Sequence, residues 1–503
     1  MIKLKSATLD GIKAQVVDVE CSFTRALPSF SIVGSVTNDI QESKERTKAA
    51  LGSIDFKFPP LKITINIAPA SLYKTGAQID LAIALAVALN GEQTIEACHE
   101  FLILGELSLD GSIKNTNQIF PIVLSLAKEN KNLKILTSKD SAEYLSKIPN
   151  IEIYAVENLN DAIMFMSGES RLEPYEGSSL KMEFVEFDGN KFYFDRNFEL
   201  DFYDVRGQII AKRAMLIAAA GFHNILLEGS PGCGKSMMTK RLRFIMPPME
   251  LSEILHSAML DFMDGKNPTF KPNRPFRNPH HTSTRASVLG GGSSRDGKPG
   301  EVALSNFGIL YFDELPCFDR AILEALREPM EDNRVLVSRV NTKNEYEASF
   351  LFAASQNPCP CGNLLSSQKE CRCTEAEIQK YKNRLSEPFL DRIDLYVQAD
   401  ETKADEKFTV TSAQMYDSVL NAFAMQKSRA QQVFNGKLSE AEIENLMIDG
   451  DATLLITQAA VRFGLSLRAI NKVKKVSRTI ADLEGAELIG KKHILEALSF
   501  RRR

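Results

Sequence analysis

The stretch Gly229-Ser230-Pro231-Gly232-Cys233-Gly234-Lys235-Ser236 constrains this chain more than any other. Its pattern is G-x-x-x-x-G-K-[ST]. The apolar run Asn224-Ile225-Leu226-Leu227 precedes it and reads as a buried strand, and Met237 to Leu242 follows as a helix. In that setting the glycines let the backbone wrap a polyphosphate, with N–H groups turned toward its oxygens. The helix N-terminus adds favourable dipole charge. Lys235 is expected to reach the outer phosphates and Ser236 to hold Mg²⁺, so ATP and Mg²⁺ are the expected ligands. Strand, phosphate loop and helix in succession imply an α/β fold built on a parallel sheet.

A second run, Gly308-Ile309-Leu310-Tyr311-Phe312-Asp313-Glu314, is a buried strand ending in two acids. Ligands sit at the carboxyl ends of strands in parallel sheets. On its own an apolar run ending in Asp-Glu is equally a strand entering an exposed turn. Downstream of a phosphate loop it reads as Asp313 on the Mg²⁺ shell and Glu314 polarising the attacking water.

Further residues resemble the sensing parts of AAA+ ATPases. Asn357, after the strand-like Phe350 to Ala353, is placed like the polar sensor between nucleotide and water; an ordinary Asn-Pro turn is the alternative. Leu390-Asp391-Arg392-Ile393-Asp394 looks like the arginine-finger segment of the branch that includes magnesium chelatase and MCM helicases. Arg392 would then reach the γ-phosphate on a neighbouring subunit, which implies a ring. A salt bridge to Asp391 or Asp394 is the bland reading, and Arg384 is the second candidate finger. Arg468, in Leu465-Ser466-Leu467-Arg468-Ala469, resembles the second sensor, which reports ATP from the lid. Lys472, Lys475 and Arg478 follow it and read mostly as solvated charge. Asp204 to Gln208 resembles the adenine-side segment.

Length and composition set the frame. The 503 residues suffice for about three domains. At 44% hydrophobic and 25% charged, the chain is globular in composition. A net charge of −4 gives no bulk argument for nucleic acid, so any such contact must come from local basic patches. Lys271 to Gly300 is one: six Lys or Arg with one acid, Asp296, read as a mobile cationic insertion. His280-His281 lies within it without a third ligand at helical spacing, which favours polar contacts over metal. Arg334 to Ser355 reads as a hairpin with Asn341 to Asn344 at its tip. Such loops facing a ring's channel would contact DNA phosphates without reading bases; plain solvated loops are the alternative. The apolar run Leu81 to Leu89 is too short to span a bilayer, so no membrane role is expected. Met1 to Ser6 enters a strand-like segment without a leader pattern, and eight cysteines in so long a chain do not look like a secreted framework. The cytoplasm is the expected compartment.

Four of those cysteines, Cys359, Cys361, Cys371 and Cys373, make C-x-C-x9-C-x-C. Four thiolates suit tetrahedral Zn²⁺, although a one-residue spacer is tight; reduced structural cysteines are the alternative.

The first part of the chain alternates strands and helices. Its Ala68-Pro69-Ala70-Ser71-Leu72-Tyr73-Lys74-Thr75-Gly76, Asp80-Leu81 and Gly105 to Gly111 resemble the Lon-protease-type fold of the ribosomal S5 superfamily. The dyad positions of such proteases align with Gln78 and Phe120, neither of which can serve as nucleophile or base. Ser71 and Lys74 lie off those positions. The resemblance implies a non-proteolytic platform over residues 1–168. Residues 169–184 then read as a linker, 185–402 as the AAA+ core and 403–503 as a helical lid.

Taken in order, these motifs, with RPFRNPHHTST, NPCPCG, LDRIDL and the tail LSLRAINKVKKVSRTIADLEG, resemble the YifB/ComM family of magnesium-chelatase-like AAA+ ATPases over essentially the whole chain. Ser355-Gln356 departs from the small or apolar residues common before the Asn-Pro in that family. The resemblance implies a homohexameric DNA motor, a helicase driving branch migration while incoming DNA is integrated in natural transformation. The rival expectations are a magnesium-chelatase motor subunit and a protein-remodelling ATPase that ignores DNA.

Overall fold

In a computed structural model the described residues are 2–92, 94–130, 132–178, 180–291, 298–338, 343–401 and 409–502. The amino-terminal region forms a mixed sheet of seven strands: β1 (Ile2–Asp10), β2 (Lys13–Thr24), β3 (Ser29–Val33), β4 (Lys62–Ala68), β5 (Phe101–Leu104), β6 (Leu133–Ser138) and β7 (Ile151–Val156). Their order across the sheet is β3-β4-β2-β1-β5-β6-β7. β2 runs antiparallel to both β1 and β4, and the remaining neighbours are parallel. Alternating side chains of β4, Ile63, Ile65 and Ile67, are buried, as a half-covered strand requires. The helix Asp80–Ala88 is buried all round. Its one charge, Asp80, is met by Arg46 Nε at 2.6 Å and by the Ser43 hydroxyl, which is how a carboxylate survives there.

Gln78 and Phe120 are both committed to structure. Gln78 Nε2 donates to the carbonyls of Thr75 at 2.8 Å and Ala7 at 3.3 Å. Phe120 packs on Phe262 and Phe270 across to the second region, with centroids 5.1 and 5.4 Å apart. Lys74 is buried and donates to the Pro69 carbonyl, while Ser71 is exposed.

The second region is organised by a fully parallel sheet of β8 (Ile225–Glu228), β9 (Phe276–Arg277), β10 (Ile309–Phe312), β11 (Leu351–Gln356) and β12 (Leu395–Gln398). Its order is β9-β10-β11-β8-β12. Strands β8, β10 and β11 are buried along their whole length on both faces, which explains their apolar sequences up to the polar residues Glu228, Ser355 and Gln356 at the carboxyl ends of β8 and β11. The carboxyl-terminal region is helical: Ser412–Ser428, Gly450–Phe463, Leu467–Leu483 and Lys491–Ser499. Thr411 and Ser439 each close a capping box on the helix they start. Among the described residues no helix is long and apolar enough to cross a membrane.

Two readings of charge are corrected. The insertion from Lys271 is not a free cationic loop, because Arg274 is buried and its guanidinium holds the carbonyls of Pro247, Pro248 and Phe307. Arg277 forms a bidentate pair with Glu301 at 2.6 and 3.0 Å. Lys271, Arg285 and Lys298 stay exposed, and Arg295 lies outside the described residues. The tail cations are not solvated either. Arg478 is 1% exposed, paired with Asp482 at 3.0 Å one turn on, and Lys472 and Lys475 donate to the carbonyls of Ile393 and Gly436. The hairpin pairs Arg334–Ser338 with Lys343–Glu347; Asn341 and Thr342 of its expected tip fall outside the described residues, while Lys343 and Asn344 belong to the second strand. Asn344 lies against Gly11 in the β1–β2 turn, where a Cβ would come within 2.5 Å of its side chain. His280 bonds Thr282 Oγ1 at 2.8 Å, the polar contact expected.

Candidate functional site

Three strand ends meet at the carboxyl edge of the parallel sheet. β8 runs into the loop Gly229 to Ser236, β10 into Asp313-Glu314 and β11 into Asn357. Gly229 has no room for a side chain, since a Cβ would meet the Ala399 carbonyl at 2.7 Å. Gly232 and Gly234 take φ of +85° and +92°, conformations that favour glycine. The loop therefore turns its backbone into a cradle and feeds the helix Lys235–Leu242. Gln208 braces its far side, donating from Nε2 to the Cys233 carbonyl at 3.0 Å and to the Asp400 carbonyl at 2.5 Å.

The polar side chains converge. Lys235 Nζ donates to the carbonyls of Gly229 and Ser230 at 2.6 and 3.0 Å and to Asn357 Oδ1 at 3.3 Å. Ser236 Oγ donates to Asp313 Oδ2 at 2.9 Å, and the Ser355 hydroxyl donates to Asp313 Oδ1. Tyr311 OH stands 3.0 Å from Ser355 Oγ. Burial pushes the Asp313 carboxyl up, but hydrogen bonds from Ser355, Ser236 and Tyr311 outweigh it and hold it below the usual carboxylate range. A hydroxyl and an ionised carboxylate side by side suit a hard cation such as Mg²⁺. Glu314 is exposed with φ +54°, a conformation costing a non-glycine residue of order 1 kcal/mol. That turn carries its side chain clear of the core, and its N–H donates to Asp313 Oδ1 at 3.1 Å.

Ser355 and Tyr311 are partners that sequence reasoning passed over. The parallel register sets Tyr311 opposite Ala353 and Phe312 opposite Ala354, which brings Asp313 beside Ser355. The departure at Ser355 was the visible signal.

Arg392 and Arg468 are elsewhere. Asn224, just ahead of β8, donates to the Arg392 carbonyl at 2.8 Å and accepts from the Asp394 N–H at 3.0 Å. Arg392 thus sits at the amino edge of the sheet, the length of β8 (roughly 13 Å) from the phosphate loop. Its guanidinium contacts Glu331 and the carbonyls of Arg327 and Pro388. Among the described residues it makes no ion pair with Asp391 or Asp394; Asp394 instead accepts from the Asn224 N–H at 2.9 Å. Arg468 reaches the same Glu331 at 3.0 Å. The pair lines a cavity of about 420 Å³ with Lys437, Lys472 and Lys475. Burial opposes ionisation of Glu331, yet Arg468 and Arg392 hold its carboxyl low. Arg384 donates to the Pro316 carbonyl at 3.2 Å, near Glu314.

The four cysteines form one cluster. All four Sγ atoms lie within 4.8 Å of one another. Cys359, Cys361 and Cys371 are separated by 3.4, 3.7 and 3.7 Å. A Zn–S bond of about 2.3 Å in a tetrahedron sets S···S edges at about 3.8 Å, so the thiols fit Zn²⁺. Backbone N–H groups of Asn363 and Arg372 hold the Cys361 thiol down to about 6, whereas at Cys371 and Cys373 such N–H bonds are outweighed by burial and the neighbouring thiols, which push both up.

Comparison with known proteins agrees with this arrangement. The description "Subunit ChlI of Mg-chelatase" matches residues 19–140, "Magnesium chelatase, subunit ChlI" matches 201–407, and the corresponding C-terminal description matches 409–501. Competence protein ComM of Haemophilus influenzae is 36% identical over 98% of this chain and 95% of its own length. The chain belongs to the ComM/YifB family. YifB of Escherichia coli, itself described as uncharacterized, is 33% identical over 98% of this chain and 95% of its own. The similarity extends more weakly to the magnesium-chelatase 38 kDa subunit of Cereibacter sphaeroides, 23% identical over 58% of this chain and 88% of that subunit. This ComM/YifB chain is accordingly a magnesium-chelatase-like AAA+ protein, mixed α/β with a helical carboxyl-terminal region.

Proposed function

We propose that the protein is an ATP-hydrolysing motor that works as a ring of identical subunits, a hexamer by its family likeness, and moves on DNA in the cytoplasm. One observation carries the ring: Arg392 and Arg468 stand together at the sheet edge opposite their own phosphate loop. Arginines there serve ATP only if that ATP belongs to a neighbour. Arg468, expected to report ATP from the lid, would on this reading do so beside Arg392 on the side facing a neighbour.

Within one subunit, Lys235 binds the outer phosphates, and the backbone of Gly229 to Gly234 wraps them. Ser236 and Asp313 would hold Mg²⁺, whose charge would offset that of the phosphates. Glu314 orients and deprotonates the attacking water, and Asn357, already bonded to Lys235, positions it against the γ-phosphate. Arg392 and Arg468 of the adjoining subunit release Glu331 and neutralise charge on the transferring group.

DNA as the substrate is supported by the 36% likeness to competence protein ComM and by the exposed Lys271, Arg285 and Lys298. Branch migration during integration of incoming DNA is the activity this reading favours. The amino-terminal region is read as a Lon-like platform without protease activity, its dyad positions being Gln78 and Phe120. The second reading is a magnesium-chelatase-like or protein-remodelling motor, favoured by the 23% likeness to a chelatase subunit. ATP turnover measured with single-stranded, forked and four-way DNA, beside mass measurement with ATP, separates them. Stimulation by branched DNA and a six-fold mass are expected. Turnover indifferent to every DNA overturns the DNA reading.

A further inference from the structure

We propose that the four-cysteine cluster is a Zn²⁺ site that braces the phosphate loop, so that metal occupancy sets nucleotide affinity. The bracing half rests on the phosphate-site reading above.

The knuckle is joined to the site at both ends. Cys359 comes two residues after Asn357, at the end of β11, and is fully buried. Asn357 is the residue bonded to Lys235 Nζ. The turn then closes with the Gly362 N–H donating to the Cys359 carbonyl at 3.0 Å. Gly362 lies directly on the phosphate loop: a Cβ there would come within 2.6 Å of Pro231 Cδ and Cγ. Farther along, Ser367 donates from N and Oγ to Glu401 at 2.9 and 2.7 Å, beside the Asp400 that Gln208 holds. The knuckle therefore spans the rim of the nucleotide cradle, from the sensor asparagine across Pro231 to the segment after β12.

From Asn363 to Lys382 no side chain is buried. Leu364 and Leu365 are each 38% exposed, and the following helix Glu375–Lys382 buries no residue. A coil that buries so little cannot offset its ordering entropy by itself. A tetrathiolate site can, because metal affinity becomes folding free energy for the segment that supplies the ligands. Zn²⁺ binding displaces the thiol protons and locks Cys359 to Cys371 and Cys373, which fixes Gly362 against Pro231. Loss of the metal frees the knuckle, and the phosphate loop loses its outer wall.

The test uses the full chain purified without chelator. Metal analysis is expected to give close to one zinc per chain, and Cys371→Ser with Cys373→Ser close to none. A fluorescent ATP analogue is expected to bind the zinc-free double variant about tenfold more weakly, or worse. Gly362→Ala leaves every thiol intact, so it is expected to keep zinc and still lose affinity to a similar degree. Removing zinc from the unaltered chain with a mercurial, then restoring thiols and zinc, should lower and recover affinity, which guards against a misfolded variant. Absence of zinc from the unaltered chain overturns the metal site. Zinc present, with nucleotide affinity unmoved by its removal and by Gly362→Ala, overturns the bracing. Zinc present in a chain that binds no nucleotide at all would instead sink the phosphate-site reading, and the bracing with it.

Discussion

Arg392 and Arg468 close on opposite oxygens of a single carboxylate, that of Glu331. One follows the short helix Glu387–Leu390 and the other opens a helix of the carboxyl-terminal region. Their meeting point makes the two arginines one unit, and it predicts a pattern of complementation. Arg392→Ala and Lys235→Ala chains should each lose about 10³-fold or more in turnover. Mixed in equal amounts they should regain a measurable part, because intact loops then face intact arginines. Steady-state ATPase assays of the mixture check this, and no recovery in rings that do form would refute the neighbour arrangement.

Glu314→Gln removes the proposed base but keeps the shape of the turn. Hydrolysis is expected to fall by 10² to 10⁴, the usual contribution of a general base, while ATP binding survives. Single-turnover hydrolysis alongside equilibrium binding measures the two separately.

Phe120 ties the amino-terminal region to the helix Leu251–Met263 through Phe262, with Tyr144 edge-on to the same ring at 5.2 Å. Phe120→Ala should cost about 3–5 kcal/mol, the range for buried aromatic truncations. Limited proteolysis should then cut between the two regions sooner, because Phe120 sits in the apolar cluster they share.

His256 carries the expected pH dependence. Burial drives its pKa from 6.5 to about 4, with Glu347 opposing and Lys128 adding to the shift. The unfolded chain therefore takes up a proton that the fold refuses between pH 6.5 and 4. Stability contributed by neutral His256 is complete above 6.5 and is lost as pH falls toward 4, by on the order of 3 kcal/mol. Thermal unfolding of His256→Gln across that range should show a flatter acid limb than the unaltered chain.

What the sequence made legible was local. The loop from Gly229, the acids after β10 and Asn357 are contiguous motifs whose chemistry follows from residue type and order. The sheet brings them together because each ends a strand, as the apolar runs indicated. Long-range pairings were not. Nothing near Glu331 announces that two distant arginines converge on it, and nothing near Gly362 announces Pro231. The charges misjudged, Arg274, Arg277 and Arg478, share one cause. A guanidinium reads as solvated in sequence, and only the fold shows the carbonyls and carboxylates that receive it.

The contact between Asn344 and Gly11 leaves one last implication. The arm formed by Arg334–Ser338 and Lys343–Glu347 springs from the parallel sheet, yet it leans on the first turn of the chain. Any movement of that arm against the opening layer must either drag the layer with it or slide free of a bare backbone. A glycine at the pivot, offering no side chain to catch, suits sliding.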